Sequence, residues 1–266
     1  MTPPRRSAAR SVASVEHGTD APRLDPVDPR GLVDVGSDGT DQPGTGTGTG
    51  TGQPGTGTRT DHPGTGTDHP GTDLPGPHDS RELERYVGAD LTDRDLEGAS
   101  FSECVFESPR LGAARLRGAR FVESVLSDSF APELAASRST WHDVRVERPR
   151  WGSAELFDAD LRSVRIVGGK IDYLNLRGAR LTDVVIEGCS IGELDLGGVT
   201  ALRVALVDCR VGTLDVTRAS LAHTDLRTTS FSRIDGLAGL SGATIDDDQL
   251  SMLAPVLAAH LGLVVD

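Results

Sequence analysis

A few short sequence features have residue types that could support catalysis or phosphate binding. His142 lies next to Asp143, His223 stands alone, and residues 168–170 read Gly-Gly-Lys. Catalysis needs a nucleophile, a base and a group that orients the base, and the histidines come without such a set. The Gly-Gly-Lys sequence lacks the first glycine and the following Ser or Thr of a phosphate-binding loop. The sequence therefore predicts that the protein is not an enzyme and has no cofactor.

The potential metal ligands do not form a recognisable set either. Cys104, Cys189 and Cys209 are odd in number and lack the paired spacing of a zinc site. His62 and His69 belong to two Asp-His-Pro units in a low-complexity segment, where a metal tether is not the favoured interpretation. We therefore predict neither a metal site nor a disulfide framework.

One polar cluster has residue types that could bind a partner. Lys170, Asp172, Tyr173 and Asn175 lie close together in the middle of the apolar-rich part of the chain. They could project from adjacent faces of the fold and form a candidate partner-binding patch. The simpler interpretation is a solvated face with a local ion pair and an asparagine that caps turns.

Composition divides the chain into two parts. Residues 1–80 are dominated by Gly, Thr, Pro and Asp and hold almost no large apolar side chains, which predicts a disordered tail. The remainder carries nearly all the Leu, Ile, Val and aromatic residues, so only this part can bury a core. The formal net charge of -13 includes no basic footprint, and we expect no direct nucleic-acid binding. Because no run is long and apolar enough for a membrane span or a signal core, we expect a cytoplasmic protein.

The second part of the chain has a strict five-residue period. Every fifth position from Leu91 to Phe231 is apolar, and only three of these positions are alanine. A step of five rotates an α-helix by about 140° and would spread the side chains around its axis, whereas a flat strand would alternate them between faces. We therefore predict a chain that turns a corner every five residues and directs one large side chain inward from each segment.

A second set of small or medium apolar residues lies two positions before the large ones. All three cysteines occupy this register, which indicates that they are small buried side chains. Glycines recur two positions after the large residues, where a corner favours positive φ, and Asp or Ser occupies many of the other corners. These glycines are Gly88, Gly98, Gly118, Gly168, Gly178, Gly188 and Gly198.

Residues 88–235 resemble the pentapeptide-repeat family, whose unit is Ala-(Asp/Asn)-Leu-X-X. The unit is visible as Ala-Asp-Leu at 89–91 and at 159–161. The resemblance implies an all-β solenoid, namely a right-handed quadrilateral parallel β-helix with four repeats per coil. A second period of twenty, which places Leu174 and Leu194 in one column, also supports four repeats per coil, and the length then gives about seven coils.

The pattern is least regular at residues 127–140, where two interpretations stay open. Ala131 and Ala136 replace large residues, whereas Trp141 and Trp151 are unusually large. Ala131 lies one coil before Trp151, so a small residue can make room for a large one in the next coil. The alternative is a projecting loop whose length preserves the phase.

The five-residue phase ends after Phe231, and a short helix is expected to follow. Asp residues at 246–248 provide an N-cap and favourable charge, Gly262 provides a stop, and Pro255 should kink or divide the helix. This helix would cover the open edge of the last coil.

The predicted domains are a disordered tail at 1–80, a pentapeptide-repeat β-helix at 81–239 and a C-terminal helical cap at 240–266. One side of the cap is apolar, and it could either pack entirely on the last coil or form a homodimer. The residues of this candidate dimerisation segment are Leu250, Leu253, Val256, Leu257 and Leu261.

Solenoid repeats commonly work by binding, so we expect a protein-protein interaction scaffold with a protein partner of unknown identity. The resemblance implies an alternative, because the best-understood family members are acidic rods that resemble B-form DNA and bind DNA gyrase or related topoisomerases, often as dimers joined through a C-terminal helix. Residues 88–235 carry 23 acidic and 19 basic side chains, which is only weakly acidic. A DNA mimic needs a continuous negative face.

Overall fold

The computed structural model describes the backbone of Val33–Val35 and residues 74–264. Most of the predicted tail lies outside these described residues. Where the two can be compared, the structure differs from the predicted boundary at residue 80. Val33–Val35 forms a strand, Leu74 packs against the core, and a further strand begins at Ser80.

The strands of the described part form two parallel sheets. The first sheet holds β1 (Val33–Val35), β2 (Ser80–Glu82), β3 (Glu84–Val87), β4 (Ser100–Ser102), β5 (Val105–Glu107), β7 (Arg120–Val122), β8 (Val125–Ser127), β10 (Thr140–Glu147), β12 (Asp160–Val167), β14 (Arg180–Glu187), β16 (Thr200–Val207), β18 (Ser220–Asp225) and β20 (Ala243–Thr244). The second holds β6 (Ala114–Arg115), β9 (Phe130–Ala135), β11 (Arg150–Glu155), β13 (Lys170–Asn175), β15 (Ser190–Asp195), β17 (Arg210–Asp215) and β19 (Ser230–Asp235).

Neighbouring coils stack in a register of twenty residues. Thr140 pairs with Asp160, and Asp160 pairs with Arg180. The result is a parallel β-solenoid of about eight turns, which confirms the predicted fold class. The expectation of about seven coils is too low because β2 already pairs with β4, so a coil precedes residue 88.

The five-residue series fills the interior, as predicted. Every position of the series from Leu91 to Phe231 is buried. Three aromatic rings stack in one column, with centroids 5.1 Å apart for Phe101 and Phe121 and 4.4 Å apart for Phe121 and Trp141. The three cysteines are free and buried, which confirms their predicted place among the small inward side chains.

The corners use two devices to turn the chain. The seven predicted corner glycines all have positive φ, between 61° and 67°. Elsewhere, carboxylates accept hydrogen bonds from the backbone two residues on. The Oδ1 atom of Asp215, for example, accepts from the N–H of Thr217 at 2.7 Å, at a corner where Arg218 has a φ of 58°. Such hydrogen bonds stabilise the corners that have no glycine.

Residues 127–140 form a regular coil, so the projecting-loop alternative is wrong. Strand β9 pairs with β6 on one side and with β11 on the other. Ala131 lies in register with Trp151, and the indole N–H of Trp151 donates to Ser129 Oγ at 3.1 Å. The small alanine therefore makes room for the indole of the next coil.

The C-terminal end closes the solenoid with a short 3-10 helix at Leu237–Leu240, strand β20 and helix α1 at Asp247–His260. Ala243 pairs with Thr224, one residue out of the regular register, so the sheet extends beyond the predicted boundary at residue 239. Asp246 caps α1 as predicted and shares a reciprocal capping box with Gln249.

Helix α1 is continuous from Asp247 to His260, and Pro255 does not divide it. Leu253 is buried and Leu257 is partly buried against the core. Leu250, Val256 and Leu261 are exposed by 49%, 49% and 71%. Within the described residues, no helix has the length and apolar character needed to span a membrane.

Candidate functional site

The structure places all four residues of the predicted patch on β13, at the centre of the second sheet. Lys170 and Asp172 lie at one side of the strand, and the Lys170 Nζ atom is 3.2 Å from Asp172 Oδ1. Both side chains line an open groove of about 350 Å³. The other lining residues are Ile171, Ser190, Ile191, Gly192, Arg210, Val211, Gly212, Ser230 and Ser232.

The groove lies where two successive coils carry glycine instead of a residue with a side chain. Gly192 and Gly212 follow Asp172 in the same column. A Cβ atom on Gly192 would overlap the carbonyl oxygen of Asp172, and one on Gly212 would overlap that of Gly192. Glycine is therefore required by the close approach of successive backbones, and this approach leaves a floor of bare main chain.

One side of this sheet face is basic. Arg150, Lys170 and Arg210 are the first residues of β11, β13 and β17, and they lie in one column with Ser190 and Ser230. We call these three cations the basic edge. The Arg210 guanidinium forms no ion pair or hydrogen bond with another described side chain. It is therefore available to an external anion.

The opposite side of the same face is acidic. Glu155, Asp195, Asp215 and Asp235 are the last residues of β11, β15, β17 and β19. We call these four carboxylates the acidic edge. It lies at most about 16 Å from the basic edge, since the strands are six residues long and bend between the two edges.

Tyr173 and Asn175 belong to the acidic edge and not to the groove. The Asn175 side-chain amide donates to Glu155 Oε2 at 2.6 Å, and its Oδ1 accepts from the N–H of Arg177 at 3.0 Å. The Tyr173 hydroxyl lies 3.5 Å from Asp195 Oδ2. The patch is thus split between two edges, and Asn175 caps a turn.

Arg177 organises the acidic edge. Its Nη2 atom lies 2.7 Å from Asp195 Oδ2 and 3.3 Å from Asp215 Oδ2. The hydrogen bonds that the Arg177 guanidinium donates to Asp195 raise the pKa of Arg177. Burial alone would raise the pKa of Asp215, but hydrogen bonds from Thr217 and the charge of Arg177 lower it below its ordinary value. These groups therefore stay charged near neutral pH.

In the part of the chain that the structure describes, the side chains of Cys189 and Cys209 share a hydrogen bond between neighbouring coils, but they belong to no larger metal-binding set. The described part of the chain contains no group of three or more His, Cys, Asp or Glu residues placed to hold a metal ion. His142 and Asp143 form an exposed pair at 3.2 Å. Burial raises the pKa of the Cys104 thiol to about 11, so this cysteine is protonated near neutral pH.

Sequence reasoning missed Arg210 and the two groove glycines. The candidate patch was chosen from neighbours along the chain, whereas the groove joins residues twenty apart. The period of twenty holds the signal, because it aligns Lys170, Ser190, Arg210 and Ser230 in one column.

Comparisons with known proteins support the repeat assignment. Residues 87–129 match the family model described as pentapeptide repeats, with eight copies. No curated protein matches the sequence. Among solved structures, the chain is similar to trypsin-treated QnrB1, a plasmid-mediated fluoroquinolone resistance protein, with 16% identity over 70% of this chain and 100% of that chain and a TM-score of 0.27.

A second similar structure is HetL, a pentapeptide-repeat protein involved in heterocyst differentiation regulation from the cyanobacterium Nostoc sp. It has 16% identity over 64% of this chain and 90% of that chain, with a TM-score of 0.21. At these values no binding property transfers from either protein to this chain. The register of twenty nevertheless continues past the matched residues through Asp235, with the same inward series and the same corners. The chain therefore contains pentapeptide repeats, and its coils keep the same register through Asp235.

Proposed function

We propose that the protein is a non-enzymatic scaffold that binds a protein partner through the outward face of its second sheet. The observation that carries the proposal is the Arg210 guanidinium, which has no anionic partner among the described residues and lies beside a groove floored by main chain. A charge left without an intramolecular partner costs little while it is solvated, and it can pair with a carboxylate of a bound protein.

The distribution of charge on this face favours a protein partner over nucleic acid. The basic edge and the acidic edge lie on opposite sides of the same strands, so the face presents both signs within about 16 Å. A phosphate backbone would meet repulsion from the acidic edge, whereas a protein can present charges of both signs. The partner expected here has an acidic side chain at the groove and a basic one opposite Asp215, since Asp195 is buried.

The proposal is tested with charge reversal at the groove. Arg210→Glu should weaken partner capture by about tenfold or more, because it replaces an attractive contact by a repulsive one. Arg180→Glu is the matched control, since Arg180 is also exposed but lies on β14 of the first sheet. Quantitative affinity capture with the three proteins should yield a partner retained by the control and lost by Arg210→Glu. A partner retained equally by both variants would refute a role for this face.

A DNA mimic that binds DNA gyrase is the second candidate, and the stacked carboxylates of the acidic edge favour it. Arg177 neutralises part of that edge, however, and Arg233 pairs with Asp235 at 2.9 Å. A gyrase supercoiling assay at low salt separates the candidates, because electrostatic competition with DNA is then strongest. The scaffold proposal expects no inhibition with excess protein, and inhibition that disappears at high salt would favour the mimic.

The exposed side of α1 supports a homodimer as part of the same proposal. Val256 and Leu261 are largely exposed, whereas Leu253 and Leu257 already pack on the last coil. Val256→Asp should therefore dissociate a dimer without disturbing the cap, and light scattering would measure the mass. A parent protein that is monomeric at high concentration would reject the dimer.

A further inference from the structure

The N-terminal edge of the solenoid is occupied by a strand that comes from far away in the sequence. Strand β1 pairs in parallel with β3, with Val33 beside Glu84, Asp34 beside Arg85 and Val35 beside Tyr86. Strand β3 pairs on its other side with β5 of the next coil. Strand β1 therefore stands where a preceding coil would stand.

The short sequence of β1 suits this position. In the first coil, Glu84 and Tyr86 occupy inward positions and Arg85 occupies the outward position between them. Val-Asp-Val alternates apolar, acidic and apolar residues in the same register. The acidic residue is thus paired in register with an arginine, and the two valines with the inward positions.

At the N-terminal end, polar side chains already close the interior. The main-chain edge of the first coil still needs a hydrogen-bonding partner. Arg81 and Glu84 occupy inward positions, and the Arg81 guanidinium lies 3.0 Å from Asp79 and 3.6 Å from Glu84. The Tyr86 hydroxyl donates to Glu84 Oε2. These polar groups close the end of the apolar interior. An edge strand without a neighbour still presents a row of N–H and C=O groups that can pair with another chain.

We propose that Val33–Val35 is a built-in strand plug: it occupies the first-coil edge of its own solenoid and thereby prevents that edge from pairing with the same edge of a second copy. The plug is only three residues long, so its affinity is low. Because β1 belongs to the same chain as β3, its effective concentration at the edge is higher than that of a free peptide. The acceptor site is the main-chain edge of β3, and its ligand class is an extended peptide in parallel orientation.

The plug is tested in the full-length chain by removing its hydrogen-bonding capacity. Val33→Pro combined with Val35→Pro removes two backbone donors from β1, and Val12→Pro combined with Val15→Pro is the matched control elsewhere in the N-terminal segment. Both variants carry Val256→Asp so that association through α1 does not contribute. Hydrogen exchange at Glu84–Val87 and sedimentation velocity over a range of concentrations are measured.

In the plug variant, we expect exchange at Glu84–Val87 to become at least about tenfold faster when the edge is unpaired, together with heavier species that grow with concentration. A synthetic peptide of residues 28–39 should suppress these species, and a scrambled peptide should not. Unchanged exchange would show that β1 does not hold the edge. Faster exchange without association would show that the edge does not recruit a second copy, and either result overturns the proposal.

Discussion

The two ends of the solenoid solve the same problem with different chemistry. At the N-terminal end, charged and polar side chains from Asp79, Arg81 and Glu84 close the interior. At the C-terminal end, Leu253 of α1 packs on the last coil, and the Gln249 side-chain amide donates to the carbonyl oxygens of Leu226 and Thr229 at 2.6 Å each.

The difference shows how a repeat fold can be terminated without a dedicated domain. A coil has an apolar interior and an open main-chain edge, and each must be covered. At the C-terminal end, α1 contributes to both, because Leu253 packs on the interior and Gln249 donates to two carbonyl groups of the last coil, while β20 pairs with the edge of β18. The N-terminal end divides the task between ion pairs and β1. The stability of the apolar C-terminal end should therefore not depend on pH or salt. The stability of the N-terminal end, which depends on ion pairs, should change with both.

The largest effect is expected from truncation of the apolar C-terminal contact. Leu253→Ala should lower the free energy of unfolding by about 2–4 kcal/mol, because it leaves a cavity between α1 and the last coil. Leu250→Ala, at a half-exposed position of the same helix, should change it by less than about 0.5 kcal/mol. Urea denaturation followed by circular dichroism measures both, and equal effects would place Leu253 outside the core.

A smaller loss is expected when the glutamine cap is removed. Gln249→Ala removes the side-chain donor shared by the carbonyl oxygens of Leu226 and Thr229, of which, among the described residues, only that of Leu226 keeps another donor, the Thr229 N–H at 3.2 Å. It also breaks the capping box with Asp246. The expected cost is about 1–3 kcal/mol. Ser251→Ala, an exposed position on α1, serves as the control. The loss should be the same at 0.05 and 0.5 M NaCl, and a strong salt dependence would contradict the contrast between the two ends.

Alkaline pH should weaken the N-terminal end through Tyr86. Burial and the hydrogen bond with Glu84 raise the pKa of Tyr86 well above its ordinary value of 10. The folded state therefore keeps a proton that the unfolded chain releases near pH 10. Stability is fully present below that pH and falls above it by up to about 1.4 kcal/mol per pH unit until the folded pKa is reached.

Tyr86→Phe should remove this slope, measured from urea midpoints between pH 8 and pH 11. Tyr173→Phe provides the comparison, since Tyr173 is less buried and burial raises its pKa to a smaller extent. An unchanged slope in Tyr86→Phe would show that other groups govern the alkaline transition.

The smallest effect is expected at Asp79. The N–H of Gly76 and the Arg81 guanidinium lower the pKa of this carboxylate. Its contribution is present above the unfolded pKa of about 3.9 and is lost as the pH falls through the lower folded value. Because the side chain is 41% exposed, Asp79→Asn should cost less than about 1 kcal/mol at pH 7.

Thermal denaturation at pH 7 and pH 3 checks this expectation, with Asp93→Asn as an exposed control. The difference between Asp79→Asn and the parent protein should shrink at pH 3 and in high salt. A difference that persists at pH 3 would mean that the side chain acts through packing.

The interior and the corners could be predicted from the sequence because both repeat at short intervals. Leu161 and Ile171 belong to a series whose period admits one geometry, and Gly178 stands where that geometry turns. The helix at Asp247–His260 carries its own start signal in Asp246. Local periodicity and capping are short-range properties, so no long-range information was needed.

The first-coil edge and the groove could not be predicted in the same way. Strand β1 pairs with a coil from which residues 36–73 separate it, and three residues are too few to form a period. Arg81 and Glu84 occupy inward positions that the apolar pattern excludes, because they terminate the interior. Arg210 joins Lys170 only through stacking two coils apart. Each of these features depends on contacts between distant segments.

The position of the two tryptophans determines which part of the solenoid fluorescence can monitor during unfolding. Trp141 and Trp151 are the only tryptophans in the sequence, and both are buried near the middle of the solenoid, half a coil apart. Trp141 also stacks on Phe121. Intrinsic emission should therefore report on the centre of the rod and stay constant while either end frays. The thermal unfolding curve measured by tryptophan fluorescence should coincide with the curve measured by circular dichroism only if the solenoid unfolds as a single cooperative unit.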